Sequence, residues 1–397
     1  MSGTDLMAAL AAASTDRVLF DLDGIRATYR NLTDELPGVE VKFAMKACPV
    51  DEVIAGLAAR GAGVDAASPG EIAQALSAGV AVSDVHFGNT VKSDQDIVAA
   101  YRLGVRDFAT DSLEDVTAIA RHAPGSRVFC RLATDGAGAL WPLSRKCGCS
   151  VPDAVRVLDR ARQLGLKPSG LSVHIGSQQM STTAWRAAFD RLADAIVALR
   201  GRGIALDHVN LGGGLPALTY LDRRGEPLRP PLSGIFEAIR SGIGHLRGVS
   251  PVPLRFLVEP GRHLVADHGA IRAHVARLTS RQLLDGGQER WLYLSCGKFN
   301  GLYETDQLRY RLVFPASPAA DFVPAMIAGP TCDSDDAFGG DGGPVRVPRD
   351  LRSGDPVWIM ACGAYSISYM TRGFNGFGPL PYEIVQAHDR EQAPCPA

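Results

Sequence analysis

The sequence predicts an α/β protein in which eight strands and their helices close into a TIM-type (β/α)8 barrel, followed by a C-terminal β-rich domain. Three observations support this fold class. Apolar segments rich in β-branched residues alternate with amphipathic segments over residues 30–265, which is typical of parallel α/β folds. About eight of these segments have the length of strands, the number that closes such a barrel. After residue 265 the helical segments stop, and strand-like segments alternate with loops rich in Gly, Pro and Asp.

Each barrel strand is predicted where a run of β-branched, aromatic or other apolar residues ends at a turn signal. The predicted barrel strands are Val39 to Lys46, Val64 to Ser68, Val85 to Asn89, Asp107 to Thr110, Arg127 to Ala133, Gly170 to Gly176, His208 to Gly212 and Arg255 to Glu259. Helices are predicted where apolar residues recur every three or four positions. The predicted helices are Pro49 to Arg60, Pro69 to Ala78, Asp94 to Leu103, Leu113 to His122, Val151 to Leu164 and Thr183 to Arg200.

The region after residue 265 is predicted to form antiparallel strands, with which the early strand Val18 to Leu22 could pair. The predicted strands there are Ala270 to Arg277, Trp291 to Ser295, Val323 to Ala328 and Pro356 to Met360. Phe338 to Asp350 is predicted to be a loop because it is rich in Gly and Pro. We therefore expect residues 1–29 to contribute to the β domain, residues 30–265 to form the barrel, and residues 266–397 to form a domain like a β-sandwich or β-barrel.

Composition and charge indicate a protein that binds small molecules. A formal net charge of −2 with mixed signs provides no basic field for nucleic acid and no polybasic patch for a membrane. The apolar stretch Leu6 to Leu10 is too short to span a bilayer and is predicted to be a surface helix. The eight cysteines show no C-x-x-C spacing and the nine histidines no H-E-x-x-H spacing. We therefore expect a cytoplasmic protein with no disulfide framework and no metal site.

Chemically suggestive residues lie at the ends of the predicted barrel strands, the edge at which barrel enzymes carry their active sites. They are Lys46, Asp65, Ser68, Asn89, Arg131, His174, Gly212, Gly213, Gly214, Glu259 and Arg262. Each has a structural alternative when it is considered alone. Lys46 could be a solvated strand terminator, His174 a hydrogen-bonded core residue, and Glu259 a salt-bridge partner of Arg262. Their common position at one edge favours a functional site.

Two of these segments indicate particular chemistry. Burial at the end of an apolar strand would lower the pKa of Lys46 and make it a nucleophile that forms Schiff bases. The glycines Gly212, Gly213 and Gly214 let backbone N–H groups approach an anion closely, as in a phosphate nest. This run matches neither G-x-G-x-x-G nor a P-loop, so dinucleotide and P-loop sites are excluded.

A second region, Gly329 to Asp336, places the thiol of Cys332 beside the carboxylate of Asp333. A surface turn is the structural alternative. The functional interpretation uses the thiol to protonate a carbanion and the carboxylate to bind an ammonium group. Further along, Tyr365 and Phe374 are either core aromatics or contacts for a phosphate and a substrate.

With these motifs in order from about residue 18 to about residue 380, the chain resembles the fold type III pyridoxal-phosphate enzymes, in particular the decarboxylases of ornithine, lysine and diaminopimelate. The resemblance implies an alanine-racemase-like barrel, pyridoxal 5'-phosphate as cofactor, and a homodimer with shared active sites, in which the partner supplies the Cys332-Asp333 loop. Lys46 would bind the cofactor aldehyde, Glu259 would protonate the pyridine nitrogen, and His174 would stack on the ring. The other implied cofactor-binding residues are Asp65, Arg131, Ser177, Gly212, Gly213, Gly214, Gly261, Arg262 and Tyr365.

The residue after the thiol separates the subfamilies. Cys332-Asp333-Ser334 resembles ornithine and lysine decarboxylases, whereas diaminopimelate decarboxylases carry Cys-Glu-Ser, and Phe374 to Phe377 and Trp141 to Lys146 agree with the former. The resemblance implies decarboxylation of an L-diamino acid, ornithine or lysine, in polyamine biosynthesis. Cys332 would then be catalytic, and Asp333 and Phe374 would contact the substrate.

The alternatives concern the substrate more than the reaction. A second acid for the distal amine has no secure match, and Asp306 and Asp336 are candidates only. A sister decarboxylase that acts on another amino acid, free or tethered to a carrier protein, is therefore the main alternative. A racemase would not need the Cys332-Asp333 loop. A non-catalytic regulatory homologue would be expected to lack Lys46 or Cys332, and both are present.

Overall fold

The computed structural model describes residues 2–142, 145–317, 321–338 and 342–387. The strands are β1 Arg17–Asp21, β2 Val39–Ala44, β3 Gly63–Ala66, β4 Val85–Phe87, β5 Asp107–Thr110, β6 Arg127–Arg131, β7 Ala139–Trp141, β8 Lys167–Ser172, β9 Ser177–Gln179, β10 His208–Asn210, β11 Arg255–Val258, β12 Gly269–Gln282, β13 Gln288–Leu294, β14 Leu312–Val313, β15 Phe322–Ala328, β16 Val345–Pro348, β17 Pro356–Met360 and β18 Tyr382–Val385. The helices are α1 Ser2–Ala12, α2 Leu22–Glu35, α3 Asp51–Ala58, α4 Pro69–Ser77, α5 Asp94–Arg102, α6 Leu113–His122, α7 Val151–Gln163, α8 Thr182–Arg200, α9 Leu232–Val249 and α10 Arg262–Val265.

The chain divides into two compact units, each assembled from separate segments. The barrel unit comprises Tyr29–Pro216 and Pro230–Gly261. The β unit comprises Met1–Thr28, Ala217–Arg229 and Arg262–Ala397.

The barrel unit contains one closed barrel of eight strands. Around the barrel the order is β2, β3, β4, β5, β6, β8, β10 and β11, and β11 pairs with β2 to close it. Every neighbouring pair is parallel. The predicted (β/α)8 fold is therefore confirmed. Because the strands are parallel, their carboxyl ends meet at one edge, where the following residues can form a site.

Seven of the eight barrel strands end one to four residues earlier than predicted, and β2 and β8 show the physical reason. β2 ends at Ala44, and Lys46 lies instead on the 3-10 turn Met45–Ala47, which is closed by a hydrogen bond from Cys48 N to Met45 O. β8 ends at Ser172, before His174, whose Nδ1 accepts a hydrogen bond from Gly176 N. In both places hydrogen bonds within a local turn replace the hydrogen bonds between strands. The hydrophobic pattern of the sequence does not predict such turns.

The barrel helices are capped as their sequences suggest. Ser68, Ser93, Ser112 and Ser150 precede α4, α5, α6 and α7, and each side-chain oxygen accepts a backbone N–H of the first turn. The predicted helices recur with end shifts of at most two residues. Helix α9 was not predicted, because four glycines interrupt its helical pattern. One of them, Gly242, lets α9 approach α8, since a Cβ there would lie 2.2 Å from the Phe189 ring.

The β unit is built on the long strand β12. β12 pairs antiparallel with β1, β13 and β17, which confirms the predicted pairing of the early strand. The expectation that all strands are antiparallel is wrong, because β13 pairs with β15 and β1 with β18 in parallel. The predicted loop Phe338 to Asp350 is also wrong in part. It contains β16, whose valines alternate with Arg346 and pair with β15, while residues 339–341 lie outside the described part.

The first helix lies on the surface, as predicted. Leu6 and Leu10 of α1 are buried in a cluster with Leu19, Ala270 and Trp358 of the β unit. The helix therefore packs one face on the sheet, while Met7, Ala8, Ala11 and Ala12 are exposed. In the described ranges, no helix combines the length and apolarity that crossing a membrane requires.

Candidate active site

Lys46 directly follows β2, and its side chain is exposed, whereas the flanking Met45 and Ala47 are buried. The burial predicted for this lysine is therefore wrong for the single chain. The 3-10 turn Met45–Ala47, which carries Lys46, packs closely on Gly261. A Cβ at that position would lie 2.9 Å from Ala47 Cβ and 3.2 Å from Ala44 O. Glycine is needed there so that the turn can keep its position.

Two acids lie near Lys46. Asp65 is buried, and Glu259 is half-buried. The pKa of Asp65 is raised well above its ordinary value, chiefly by burial and then by the charge of Glu259, against the opposing charges of Lys46 and Arg131. Burial also raises the pKa of Glu259, while its hydrogen bond from Asn210 and the charges of Lys46 and Arg131 lower it. Burial and the charge of Glu259 thus both favour the protonated form of Asp65.

Asp65 is held tightly on one side. A Cβ on Gly88 would lie 1.8 Å from Asp65 Oδ1, so the carboxyl group occupies the space that a side chain would take. This oxygen is buried, and no described group donates a hydrogen bond to it. An unsatisfied buried oxygen is typical of a site that a ligand or cofactor completes.

Asn210, at the end of β10, was not selected from the sequence. Its side chain is fully buried, and Nδ2 donates a hydrogen bond to Glu259 Oε1. Its Oδ1 accepts a hydrogen bond from Gly212 N at 2.9 Å. Asn210 thus connects Glu259 to the glycine run. The available signal was an amide residue between an apolar strand end and three glycines.

His174 is a neutral imidazole in this site. Burial, followed by the charges of Arg131 and Lys46, lowers its pKa well below 6.5. Nδ1 accepts a hydrogen bond from Gly176 N at 3.2 Å, so this nitrogen carries no proton. Arg131 is the last residue of β6 and acts on Asp65, His174 and Glu259 through its charge. A neutral aromatic ring of this kind can stack on a flat cofactor.

The glycine run follows β10 in a conformation that only glycine adopts easily. Gly212 has a φ of +67°, and a Cβ there would lie 1.9 Å from Val173 O. Gly214 has a φ of +123°. Gly212 N–H is used by Asn210, but among the described residues the N–H groups of Gly213 and Gly214 have no acceptor. Two adjacent unused N–H groups fit an anion such as a phosphate.

Ser177 opens the short strand β9, opposite Trp141 of β7. The residue after it, Gln178, has a φ of +54° and is fully buried. Ser68 and Asn89, which the sequence also suggested, have structural roles. Ser68 caps α4, and Asn89 Nδ2 donates to Ala67 O while its Oδ1 accepts from Val91 N.

In the β unit, Arg262 and Tyr365 lie together. Arg262 is buried and donates to both carboxylate oxygens of Glu304, at 2.5 and 2.6 Å, and to Tyr220 Oη at 2.8 Å. Its guanidinium lies 4.8 Å from the centroid of the Tyr365 ring. Burial opposes the charge, but Tyr220 and Glu304 raise the pKa of Arg262 well above its ordinary value. Arg262 is thus a fixed cation, and its partner Glu304 was missed because no motif marks it.

Tyr365 has a φ of +58°, in the left-handed region that a tyrosine rarely adopts. Such a backbone costs on the order of 1–3 kcal/mol and concentrates at functional sites. Its position beside Arg262 agrees with the predicted role of both residues in one site.

Cys332 and Asp333 are exposed on a loop of the β unit. Cys332 Sγ lies 3.2 Å from Asn375 Oδ1, and Phe374, the neighbour of Asn375, packs on Phe299 with ring centroids 4.5 Å apart. Leu143 and Ser144, from the predicted Trp141 to Lys146 motif, lie outside the described residues.

The barrel unit thus brings Lys46, Asp65, Arg131, His174 and Glu259 within electrostatic range of one another. Of the predicted residues in the β unit, Arg262 lies beside Tyr365, and Cys332 lies beside Asn375, the neighbour of Phe374. The unsatisfied Asp65 oxygen and the unused N–H groups of Gly213 and Gly214 fit pyridoxal phosphate, which carries both a phosphate and a basic ring nitrogen.

Comparison with known proteins identifies one family. The family model described as "Pyridoxal-dependent decarboxylase, pyridoxal binding domain" matches residues 22–266. The lysine/ornithine decarboxylase of Selenomonas ruminantium is 30% identical over 378 residues, covering 94% of this chain and 90% of that protein. The diaminopimelate decarboxylase of Zymomonas mobilis is 28% identical over 356 residues, covering 87% and 80%. The crystal structure of the lysine/ornithine decarboxylase of Vibrio vulnificus with putrescine has a TM-score of 0.81 and 27% identity, covering 96% of both chains.

Proposed function

Because the chain belongs to the family of pyridoxal-dependent decarboxylases, we propose that it removes the α-carboxylate of an L-diamino acid, ornithine or lysine, as carbon dioxide. Membership makes it an amino-acid decarboxylase that uses pyridoxal phosphate. The observation that carries the proposal is the pair of acids Asp65 and Glu259, whose pKa values are both raised by burial and both lowered by the charge of Lys46.

The residues proposed to hold the cofactor are those that the resemblance to the family assigns. Lys46 would bind its aldehyde, His174 would stack on its ring, and Glu259 would hydrogen-bond its ring nitrogen. The phosphate would be bound by Ser177, Gly212, Gly213, Gly214, Arg262 and Tyr365, with Asp65, Arg131 and Gly261 supporting the lysine and the ring. When bound, the protonated cofactor ring accepts the electron pair of the Cα–carboxylate bond as that bond breaks.

The protein groups would keep this ring positively charged. Burial raises the pKa of both Glu259 and Asp65, and a carboxyl group beside the ring nitrogen would hydrogen-bond it and favour its protonated form. Asn210 fixes one oxygen of Glu259 and so orients the carboxyl group. The neutral state of His174 avoids a second positive charge next to the cationic ring.

The exposed loop of the β unit would provide the second half of the chemistry. Cys332 would donate its thiol proton to the carbon that has lost the carboxylate, so that an S–H bond breaks and a C–H bond forms. Asp333 would bind the distal ammonium of the substrate, and Phe374 would contact its chain. Because Lys46 and Cys332 are both exposed in the single chain, we propose that a homodimer covers them and that the partner chain completes each site.

The relatives support a diamino acid and do not separate its members. They include a lysine/ornithine decarboxylase and a diaminopimelate decarboxylase, and one solved relative holds putrescine. The Cys332-Asp333 sequence favours ornithine or lysine over diaminopimelate. On this basis we propose a cytoplasmic enzyme of polyamine formation.

A second candidate is a sister decarboxylase whose substrate, free or carrier-bound, is not a simple diamino acid. The observation that favours it is the state of the acids near the thiol loop. Asp336 is buried and fully hydrogen-bonded within the loop, so it serves the loop itself. Asp306 and Asp335 both bind Lys298, at 2.6 and 2.9 Å. Of these four acids, Asp333 is then the exposed one that does not pair with Lys298.

The test is a substrate panel run on the purified holoenzyme. Ornithine, lysine, arginine, diaminopimelate and short diamino acids are each assayed for carbon dioxide and for the amine product by mass spectrometry. Release of diamine from ornithine or lysine supports the proposal. Carbon dioxide from none of the panel, with cofactor bound, would favour the sister decarboxylase.

Two variants test the cofactor anchor. Lys46→Ala should lose the absorbance of covalently bound cofactor and the adduct that borohydride fixes. Lys167→Ala, which changes an exposed lysine at the start of β8, is the control and should keep both. A borohydride-fixed adduct at wild-type yield in Lys46→Ala protein would show that the anchor is another residue.

A further inference from the structure

The loop that carries Cys332 is rigidly anchored at its base. Asp336 is buried, and its Oδ1 accepts a hydrogen bond from Lys298 N at 2.7 Å. Its Oδ2 accepts from Thr331 N at 3.0 Å and from Thr331 Oγ1 at 2.7 Å. The backbone N–H of Gly329 also donates to Asp336 O. These bonds fix both ends of residues 329–336, while the thiol between them is exposed.

The thiol itself is held by one side chain from another segment. Asn375 Oδ1 accepts from Cys332 N at 3.0 Å and from Cys332 Sγ at 3.2 Å. Because a backbone N–H can bond only to the oxygen of the amide group, the first bond also settles which end of the Asn375 side chain faces the cysteine. The same oxygen therefore receives the S–H group and sets its direction.

The segment around Asn375 is shaped for this contact. Asn375 has a φ of +51°, the left-handed conformation that asparagine, aspartate and glycine tolerate best. Its neighbour Phe374 packs on Phe299, and Thr371 N donates to Phe299 O at 2.9 Å. Phe299 follows Lys298, whose backbone N–H binds Asp336. Asn375 and the cysteine loop are thus fixed to the same short turn, Lys298–Asn300.

We propose that Asn375 is a positioning residue that aims the S–H group of Cys332 for proton transfer. This inference rests on the proposed function, in which Cys332 protonates the decarboxylated carbon. An acceptor fixed at one side of the sulfur gives the S–H bond one direction. In the transfer, the S–H bond breaks and the new C–H bond uses the electron pair left by departing carbon dioxide. The thiolate then regains a proton from water, and no oxidant or reductant is needed.

The first test measures the rate at which iodoacetamide modifies Cys332 in the holoenzyme, followed by peptide mass spectrometry. Three side chains are compared at position 375, all of which tolerate the local backbone. Asn375→Gly removes the acceptor, and alkylation at neutral pH should become about 3- to 10-fold faster, the worth of one ordinary hydrogen bond. Asn375→Asp keeps the acceptor oxygen and adds a negative charge that disfavours the thiolate, so alkylation should become slower.

The opposite directions separate positioning from simple loosening of the loop. Arg372→Ala, which changes an exposed residue on the same segment, is the control and should alkylate at the wild-type rate. If both Asn375 variants are faster, or if neither changes, the proposal is overturned. Cys332→Ala identifies the peptide signal that belongs to this thiol.

The second test counts amine molecules formed per carbon dioxide released, with whichever substrate the panel identifies. The wild-type enzyme should give one amine per carbon dioxide, and Asn375→Gly should fall below that ratio because protons are delivered to the wrong place. Cys332→Ala should fall at least as far. One amine per carbon dioxide in Cys332→Ala would refute the proposed role of the thiol. The alkylation rates test the role of Asn375 independently of that result. A ratio of one in Asn375→Gly alone would refute the inference.

Discussion

Glu259 raises the pKa of Asp65, although the strand that leads to Lys46 lies between the strands that carry them. β11 precedes Glu259, β3 contains Asp65, and β2 is hydrogen-bonded to both. The lysine therefore emerges between two acids, and the charge of Glu259 disfavours the ionisation of Asp65. The cationic lysine and Arg131 oppose this effect, so the charge state of the whole edge depends on whether a cofactor is present.

Asp65→Asn should change how the stability of the cofactor-free protein depends on pH. The folded pKa of Asp65 is raised, so the folded state binds more protons than the unfolded state above about pH 4. The free energy of unfolding should then fall as pH rises from there, by at most about 1.4 kcal/mol per pH unit. The Asp65→Asn variant carries no ionisable group at this position and should show a flatter profile.

Denaturant unfolding at several pH values between about 5 and 8 measures this slope. Asp194→Asn, at an exposed position of α8, is the control and should keep the wild-type slope. Equal slopes in wild-type and Asp65→Asn proteins would mean that Asp65 does not hold the extra proton.

Asn210→Asp should weaken cofactor binding and lower turnover. The change removes the N–H group that donates to Glu259 and adds a third carboxylate beside Asp65 and Glu259. Glu259 would then no longer be oriented toward the ring nitrogen of the cofactor. Hydrogen bonds to charged groups contribute about 1.5–3 kcal/mol, which predicts cofactor affinity about 10- to 100-fold lower. Equilibrium dialysis against the cofactor measures it.

The control for that variant is Asn89→Asp, which removes the N–H donor to Ala67 O just after β4, another strand of the barrel. It should affect stability more than cofactor affinity. Comparable losses of affinity in both variants would indicate a general effect of added charge at this edge, and the assignment of Asn210 would fail.

The sequence predicted the barrel and the residues that follow its strands because both depend on local patterns. Lys46, His174 and Glu259 each end an apolar segment, and parallel strands bring such ends to one edge. Asn210 and Glu304 escaped because their importance depends on partners far away in the chain, Glu259 and Arg262, that no local pattern connects to them.

The β unit was harder to predict for the same reason. β18 pairs with β1 across the length of the chain, and β16 lies within a segment whose Gly and Pro content indicates a loop. The sequence identified the acids near the thiol loop but did not show which of them binds a substrate and which stabilises the loop. Whether Asp336 binds a substrate or the loop backbone depends on its burial against Gly297 and Gly329, which composition does not reveal.

Gly329→Ala should destabilise the β unit because the added Cβ would lie 2.3 Å from Asp336 Oδ1. Asp336 cannot move away without losing its bonds to Thr331 and Lys298, so the cost should be about 1–3 kcal/mol. Thermal unfolding measures it. Gly378→Ala adds a Cβ with no atom within 4 Å, and this control should change the free energy of unfolding by less than about 0.5 kcal/mol.

Gly329→Ala should also make the Cys332 thiol react faster, because its loop loses the anchor. Asn375→Gly should also make the thiol react faster, but in Gly329→Ala the faster reaction should be accompanied by lower stability. A Gly329→Ala protein as stable as the wild type would show that Asp336 is not confined.

Lys298→Met should strengthen the binding of diamines. Lys298 is buried and neutralises Asp306 and Asp335, whose side chains are 56% and 64% exposed. The two acids raise the pKa of Lys298 although burial lowers it, so the lysine stays charged at neutral pH. Without it, the two carboxylates lack a counter-ion and can attract a distal ammonium. Because solvent screens exposed acids, we expect inhibition by putrescine to tighten only about 3- to 10-fold.

The inhibition constant for putrescine measures this effect, and Arg349→Met is the control because it breaks an exposed ion pair with Asp321 in the same unit. The control should leave inhibition unchanged. If Lys298→Met weakens inhibition, the lysine supports the loop that carries Asp333 more than it competes for the acids. An unchanged constant would mean that Asp306 and Asp335 lie outside the reach of the substrate, so that Asp333 alone recognises the distal amine.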